Sequence, residues 1–467
     1  MRRDMLGRCL MPRVQISRKA RLALVSTFVA LLGTPGRCAG QSACPNPPVV
    51  SISSSSMPND VCVPANFGGN PIDFFDDFSW KSFIAAVWPT QNGSRGKPDP
   101  NQPVTGTGPR VFETYKALWE VFHNDGSAPA GWDATDKMNA CAANVGFGEL
   151  VLASFSKFSD LGQAGFGSLV GPLVAQNTTY VRYLTAFNEM EFAQIASKSL
   201  YLRKNLPASP NSLTLPNGSV DVKSAWIEMA NIPNPERYYT RTALVLDPTT
   251  GECKKELVGL VGLHIVQKTP SRPQWIWSTF EQVDNVPPTQ TGAPGKFAFN
   301  DGTSKPMPNA NPYSISPLTL PVPTPFNVQR VKPVHTSTAA TNAKYQKALR
   351  DQNSVWQFYQ LVMTQWPVPV GQPQLPGTPN NTFPGAGSDS TSFANTTLET
   401  FDQTNIRTGC MNCHTQTMAA TDFVWSIADH AFPPNVPSLL MKNPSFRELR
   451  TLMELNIAKE PDKSRPK

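Results

Sequence analysis

The stretches Glu256–Lys268 (ELVGLVGLHIVQK) and Gln274–Glu281 (QWIWSTFE) decide the fold class that this chain predicts. Both are rich in β-branched and aromatic residues, and a proline-containing turn separates them, which is the pattern of neighbouring strands. Two earlier runs of the same kind, Val222–Met229 and Tyr238–Leu246, precede them. We therefore predict three or four antiparallel strands in the middle of the chain.

Apolar residues recur at helical spacing on both sides of these strands. The helices that they predict span four ranges: Asp76–Val87, Val111–His123, Asn188–Leu202 and about Asn342–Gln365. Prolines at positions 89 and 367 end the first and the last of them. Strands and helices together predict an α+β body with antiparallel strands over residues 41–300.

Proline-rich segments divide the rest of the chain, which has 46 Pro in 467 residues. Residues 301–340 are dense in Pro, Asn, Ser and Thr, and they predict a linker or a long surface wrap. Residues 341–394 combine a helix with a second loop rich in Pro and Gly. The remaining segment, residues 395–467, is predicted to be a separate, mostly helical region.

The first forty residues have the order of a secretory signal peptide. Seven bases and one acid occupy residues 1–21, an apolar run extends from Leu22 to Leu32, and small residues follow at Cys38-Ala39-Gly40. Cleavage after Gly40 is the best prediction. The apolar run is too short for a transmembrane helix, so no membrane-spanning segment is expected after cleavage.

The basic charge of the chain belongs to this leader. Residues 1–40 hold 8 of the 41 Lys and Arg and 1 of the 34 Asp and Glu, which leaves 33 of each sign in the remainder. A formally neutral body gives no reason to expect a nucleic-acid partner.

Four cysteines remain between the leader and the C-terminal region: Cys44, Cys62, Cys141 and Cys253. In an oxidising compartment they suggest two disulfides with three possible connectivities. Pairing Cys44 with Cys62 and Cys141 with Cys253 is the simplest of these. Buried thiols are the alternative.

Cys410-Met411-Asn412-Cys413-His414 is the most specific functional signal in the sequence. C-x-x-C-H is the attachment signature of haem c, in which both thiols add to the porphyrin vinyl groups and the histidine becomes the proximal iron ligand. The alternative is a zinc site, which needs a second Cys/His pair at close spacing, and the sequence has none. We predict one covalently attached haem c in a periplasmic or secreted bacterial protein.

The C-terminal region resembles the small cytochrome c fold. Thr397–Asn405 predicts a helix before the motif, and a capping box at Ser445–Glu448 starts another that carries Met453 and Ile457 on its apolar face. The resemblance implies two packed helices around the haem.

A wider resemblance extends to uncharacterised secreted proteins of the cytochrome c family. Three segments carry it: Val258–Pro287, Phe74–Trp80 and Gln365-Trp366-Pro367. It implies that the body and the haem region belong together, with His264, Trp277 or Glu281 lining the haem pocket. Glu281 and Asp284 could alternatively bind a metal, although two such carboxylates are usually only solvated.

The sixth iron ligand decides the chemistry, because a closed iron suits electron transfer and an open one can bind small molecules. Met441, in a loop flanked by prolines, is the predicted distal ligand. Met418 lies on the proximal side if the helix continues, and Met453 is more simply a core residue. His430 is the next local candidate, and His264 on its strand is more simply a core histidine.

Two functions remain open from the sequence. The first is a periplasmic electron carrier with a single haem, whose large body docks a redox partner protein. The second is a haem enzyme, peroxidase-like or oxygenase-like, whose body forms an open distal site. The carrier is preferred because it requires nothing beyond the motif.

Overall fold

The computed structural model describes residues 44–433 apart from short gaps, and it therefore omits the leader, Cys413 and Met441. The gaps are residues 124, 138–140, 142–144, 153–172, 208–212, 248–251, 289–295, 304–308, 310–323, 326, 367–393, 404–409, 411–413 and 415–420. The described residues form one compact unit.

Eight strands form a single sheet across the described residues. They are β1 (Lys116–Ala117), β2 (Leu150–Leu152), β3 (Arg182–Phe187), β4 (Val220–Glu228), β5 (Thr240–Leu246), β6 (Cys253–Thr269), β7 (Arg272–Gln282) and β8 (Tyr359–Gln365). The order is β1-β3-β4-β6-β5-β2, and β7 pairs with both β6 and β8. Only β2 and β5 are parallel, so the sheet is mixed.

The long strand β6 organises this sheet. Its first half pairs with β5, from Cys253 opposite Leu246 to Gly259 opposite Thr240. Its second half lies between β4 and β7. Strands that are covered on both faces read as continuous apolar runs, and Val258–Ile265 has that character, with every residue buried except the partly exposed His264.

Five α-helices accompany the sheet in the described part of the chain: α1 (Ile72–Ala86), α2 (Leu118–Val121), α3 (Glu189–Ser197), α4 (Thr336–Arg350) and α5 (Trp425–His430). α1 and α4 pack together on one face, where Trp80 stacks on Tyr345 with ring centroids 5.0 Å apart. Ser79 Oγ of α1 lies 2.7 Å from Ser278 Oγ of β7. None of the helices in the described ranges is long and apolar enough to cross a bilayer.

The predicted fold class is wrong: the described residues form mostly one mixed sheet with few helices, and the region after residue 394 is not a helical haem region. β8 comes from beyond residue 340 and completes the sheet by pairing with β7, so strands and helices do not separate into an α+β body and a helical haem region. After residue 394, the helical elements whose bounds are described are α5, of six residues, and a 3₁₀ turn at Thr400–Asp402. They lie on the sheet. Tertiary pairing overrode the local helical pattern.

The predicted helix Asn342–Gln365 shows this override directly. α4 ends at Arg350, and a 3₁₀ turn at Val355–Phe358 leads into β8. Ser354 caps that turn, because its side chain accepts a hydrogen bond from the backbone N–H of Trp356. The apolar residues of 359–365 have high β-propensity, and they pair with the edge of β7 that β6 does not occupy.

The predicted helix Val111–His123 is also broken. Its residues form a 3₁₀ turn (Val111–Thr114), β1 and α2. The carboxylates of Glu113 and Glu120 accept hydrogen bonds from the backbone N–H groups of Arg110 and Ala117 at 3.0 and 2.9 Å. Each of these bonds caps the N-terminus of a separate short helical turn. The buried Arg95 donates to the carbonyl oxygen of Tyr115 at 3.1 Å, which removes that oxygen from a continuous helix.

The four strands predicted in the middle of the chain are present as β4, β5, β6 and β7. The linker predicted at 301–340 falls partly outside the described residues. Of its described part, Asn327, Val328 and Arg330 are buried, and α4 begins at Thr336. The other predicted domain boundaries stay predictions.

Candidate functional site

The face of the sheet opposite α1 and α4 carries His414, the histidine of the C-x-x-C-H motif. On β4, β6 and β7, Lys223, His264 and Thr279 lie directly opposite one another, so their side chains share a face. Trp277, two residues from Thr279, shares that face by the alternation of a strand. The ring of His414 lies against Trp277, with ring centroids 4.3 Å apart.

The orientation of His414 is fixed through one ring nitrogen. Its Nδ1 lies 2.7 Å from the carbonyl oxygen of Phe423. A carbonyl can only accept, so Nδ1 carries the hydrogen and the neutral ring has its lone pair on Nε2. Burial is the largest cause that lowers the pKa of His414, to about 4; the charges of His264 and Lys223 act in the same direction, and the hydrogen bond to Phe423 opposes them. The imidazole is therefore neutral at ordinary pH.

Phe423 presents its carbonyl from a strained turn. Asp422 and Phe423 have φ angles of 51° and 72°, in the left-handed region that is costly for side chains of this kind. The turn is anchored to the sheet. Lys268 of β6 forms an ion pair with Asp422, and the indole N–H of Trp275 donates to the Asp422 carbonyl oxygen at 3.0 Å. The backbone N–H of Leu215 donates to the Asp422 carboxylate at 2.9 Å.

The segment before the motif is also hydrogen-bonded to β7 of the sheet. Asn395 is fully buried, and its amide donates to Thr279 Oγ1 at 3.0 Å and to the Phe280 carbonyl at 2.8 Å. Thr396 donates to Glu281 through its N–H at 3.1 Å and through its hydroxyl at 2.8 Å. The sheet therefore holds the chain on both sides of the attachment motif.

His264 pairs with this segment. Its Nε2 lies 3.0 Å from Glu399 Oε1, with 19% of the His264 side chain exposed. Burial by itself raises the pKa of Glu399, but the charge of His264, with help from Lys223 and the N–H of Asn395, brings it below its usual value. The pair stands close enough to His414 for the charges of both residues to influence that ring. His264 is thus more than the core histidine expected from its strand.

Cys410 packs between two apolar clusters on either side of β7. One contains Phe75, Ile276 and Trp366, and the other contains Trp275 and Trp277. Cys410 is in neither of the two disulfides described below. Cys413, Met441, Met418 and Met453 lie outside the described residues.

The remaining candidates have structural partners. Glu281 is buried against Arg330, and Asp284 Oδ2 lies 2.7 Å from Arg237 Nε, so neither is the solvated carboxylate expected from the sequence. His430 ends α5, with its ring 6.1 Å from that of Phe122. Among the described residues no group of three His, Cys, Asp or Glu side chains is arranged to hold a metal ion.

Two further carboxyl groups interact with this anchored turn, Glu191 of α3 and Asp221 of β4. Burial raises the pKa of Asp221 to about 8, and the charge of Lys223 opposes this shift. Burial also raises the pKa of Glu191 well above its usual value, and the charges of Asp221 and Asp422 act in the same direction. Neither carboxylate oxygen of Glu191 has a hydrogen-bond partner in the part of the chain that the structure describes. The charge of Lys268 lowers the pKa of both Glu191 and Asp422.

Sequence reasoning missed Lys268, Asp422 and Glu399. One signal was present: Lys268 continues the alternation of His264 and Val266 along β6, which places a cation on the same face of an otherwise apolar strand. Asp422 and Glu399 had no such signal, because their partners are distant in the sequence.

The cysteines of the body form two disulfides, Cys44–Cys62 and Cys141–Cys253, with Cα atoms 5.4 and 5.6 Å apart. These are the two pairs that the sequence favours as the simplest of three connectivities. The first disulfide links two residues near the start of the described chain. The second joins Cys141, which follows α2 in the sequence, to Cys253 at the start of β6.

No protein-family model matches this chain, and neither a curated protein nor a solved structure is similar to it. Its function therefore has to be argued from the site itself.

Proposed function

We propose that this chain is a c-type cytochrome of an oxidising compartment, with one haem c bound covalently to Cys410 and Cys413 and with His414 as the proximal iron ligand. The observation that carries the proposal is the hydrogen bond from Nδ1 of His414 to the Phe423 carbonyl, 2.7 Å in length. Histidine ligands of metals are typically oriented in this way, with the other ring nitrogen bound to a carbonyl or carboxylate.

The residues present fit a haem ligand in two further respects. A ligating imidazole must be neutral, and the lowered pKa of His414 keeps it so. The ring also stands among apolar and aromatic side chains, including Trp277 and the buried Phe423. This surrounding would disfavour the more charged ferric iron and raise the reduction potential.

The activity proposed is the transfer of single electrons, which the haem iron supplies when bound. The chain would hold the haem through the two thiols and orient the imidazole of His414, against which Trp277 packs. A redox partner protein follows from this activity. Met441 remains the proposed sixth ligand, and the two disulfides support export to an oxidising compartment.

The covalent bond provides the direct test. The full chain is expressed with a periplasmic haem-attachment system, purified and denatured, and its mass and absorption spectrum are measured. We expect one haem to stay with the denatured chain. It should be lost in the Cys410→Ser/Cys413→Ser variant and kept in the Cys44→Ser/Cys62→Ser control. Wild-type protein that releases its haem on denaturation, or never acquires one, contradicts the proposal.

A haem enzyme with an open iron site is the second candidate, and the pair of His264 and Glu399 favours it. A histidine held 3.0 Å from a carboxylate is a common acid–base device, and this one stands near His414. Carbon monoxide separates the two candidates. Ferrous protein that promptly binds carbon monoxide would rule out a closed carrier, and the acid–base role would then be tested by slower turnover in His264→Gln.

A further inference from the structure

Lys268 and Asp422 form a buried ion pair that joins the sheet to the turn behind His414. Their side chains are 2% and 8% exposed. Lys268 is held in place by β6, where its N–H donates to the Ser219 carbonyl at 3.0 Å. Its ammonium group also lies 5.7 Å from the centre of the Trp275 ring, so the position of the cation is determined from more than one side.

The turn needs this anchor because its backbone is unfavourable. Asp422, Phe423 and Trp275 all have positive φ angles, of 51°, 72° and 70°. Such conformations are unfavourable for residues other than glycine and persist only where surrounding contacts enforce them. The contacts here are the ion pair, the Trp275 indole on the Asp422 carbonyl at 3.0 Å and the N–H of Leu215 on its carboxylate at 2.9 Å.

One continuous set of contacts therefore runs from the sheet to the ring of His414. Lys268 fixes Asp422, and the adjacent residue, Phe423, holds Nδ1 of His414 at 2.7 Å through its carbonyl oxygen. Nothing else among the described contacts of the 421–424 turn carries a formal positive charge from the sheet to it. If the turn relaxed, the Phe423 carbonyl would rotate away from the imidazole.

We propose that Lys268 and Asp422 are positioning residues for the iron ligand, which set the strength of the hydrogen bond on His414 and thereby the reduction potential of the haem. This inference rests on the proposed function. Neither residue touches the ligand itself, and both act through the backbone of Phe423.

The direction of the effect follows from the chemistry of imidazole. A hydrogen bond from Nδ1–H to a carbonyl makes Nε2 a stronger electron donor, which stabilises ferric iron and lowers the potential. Loosening the turn weakens the bond, so the potential rises. Charge acting through space has a different signature, because removing the lysine cation would lower the potential and removing the aspartate anion would raise it.

The experiment compares the signs of two shifts. The reduction potentials of the haem-loaded full chain are measured for wild type, Lys268→Met and Asp422→Asn. We expect both variants to shift upward, with at least a tenfold change in the ratio of oxidised to reduced haem at fixed ambient potential, which is about 59 mV for one electron. Lys268→Arg, which keeps the charge, should restore most of the wild-type value.

A second buried pair provides the matched control. Arg95 and Glu120 are 7% and 4% exposed and lie 3.1 Å apart, and neither has a described hydrogen bond to His414 or to Phe423, so Glu120→Gln should destabilise the fold without changing the potential. Shifts of opposite sign, or no shift in either variant, would overturn the positioning role. Failure of the wild type to attach haem would instead overturn the proposed function.

Nitrogen-15 NMR of labelled histidine provides a second readout that does not depend on turnover. The wild type should show the Nδ1–H tautomer of His414, with slow exchange of that proton. Faster exchange in Lys268→Met and Asp422→Asn is expected, and unchanged exchange in both would also refute the inference.

Discussion

The imidazole of His414 lies against the indole of Trp277, with 4.3 Å between the ring centroids and 52° between the ring planes. Trp277 belongs to β7 in the middle of the sheet, and His414 belongs to the attachment motif. The contact means that the proposed iron ligand packs on a strand that is paired on both sides. The other hydrogen bonds and ion pairs of the site hold the segments on either side of the motif on this face of the sheet.

The buried ion pair of Arg330 and Glu281 should be essential for holding Thr396, and with it the segment before the motif, on the sheet. Glu281 also accepts two hydrogen bonds from Thr396, so Arg330→Met would leave a buried carboxylate without its cation. We expect a loss of about 3–5 kcal/mol in the free energy of unfolding, measured by urea denaturation. Lys347→Met removes an exposed ion pair, with 68% and 58% of its side chains exposed, and should change little. Equal effects of the two variants would contradict this view.

Asp76 should make the stability fall as pH rises. Burial raises the pKa of this carboxyl group to about 7, although hydrogen bonds from Thr338 and Thr364 oppose the shift. Between about pH 4 and 7 the folded chain keeps a proton that the unfolded chain has lost, so the free energy of unfolding decreases by about 1.4 kcal/mol per pH unit. The contribution of this group is constant below and above that range.

Replacing Asp76 isolates this contribution. Asp76→Asn cannot titrate, so urea unfolding across the same pH range should show a slope smaller by that amount. The total difference expected is about 4 kcal/mol. A variant whose stability depends on pH as steeply as the wild type would show that Asp76 is ionised in the folded protein.

The two disulfides should differ in what they contribute. Cys141 and Cys253 are 112 residues apart, and Cys44 and Cys62 are 18 apart. Because a cross-link restricts the unfolded chain more when it closes a longer loop, loss of the first should cost about 4–5 kcal/mol and loss of the second about 3 kcal/mol. Double Cys→Ser variants compared by urea unfolding test this order. A reversed order would indicate that native contacts, and not loop closure, dominate.

Met441 stays a prediction from the sequence, and its replacement tests the closed-carrier proposal. Met441→Ala should abolish the long-wavelength absorption band of ferric haem with a sulfur ligand and allow ferrous protein to bind carbon monoxide, because the sixth position opens. Met418→Ala is the matched control and should leave both properties unchanged. If Met441→Ala has the wild-type spectrum, another residue ligates the iron, and His264 and His430 are the next to replace.

Sequence patterns gave the central strands because β4 to β7 are covered on at least one face and are rich in residues that suit a sheet. They failed for β8 and for the helix predicted at Val111–His123. In both places the outcome depends on distant partners: the edge of β7 in one case, and the buried Arg95 in the other. Local periodicity contains no information about such partners.

The same distinction holds for the site. Cys410, Cys413 and His414 are recognisable because the motif is short and contiguous. Lys268, Asp422 and Glu399 are not, since each acquires its role from a residue far away in the chain. His264 is intermediate: its strand was predictable, but the carboxylate that pairs with it was not.

The position of β8 has a consequence for how this protein is made. All eight strands in the described residues end by residue 365, and the C-x-x-C-H motif begins at Cys410. A chain synthesised from its N-terminus therefore contains these strands before the motif has emerged. On the proposed function, the sheet would be in place before the two cysteines of the motif receive their haem.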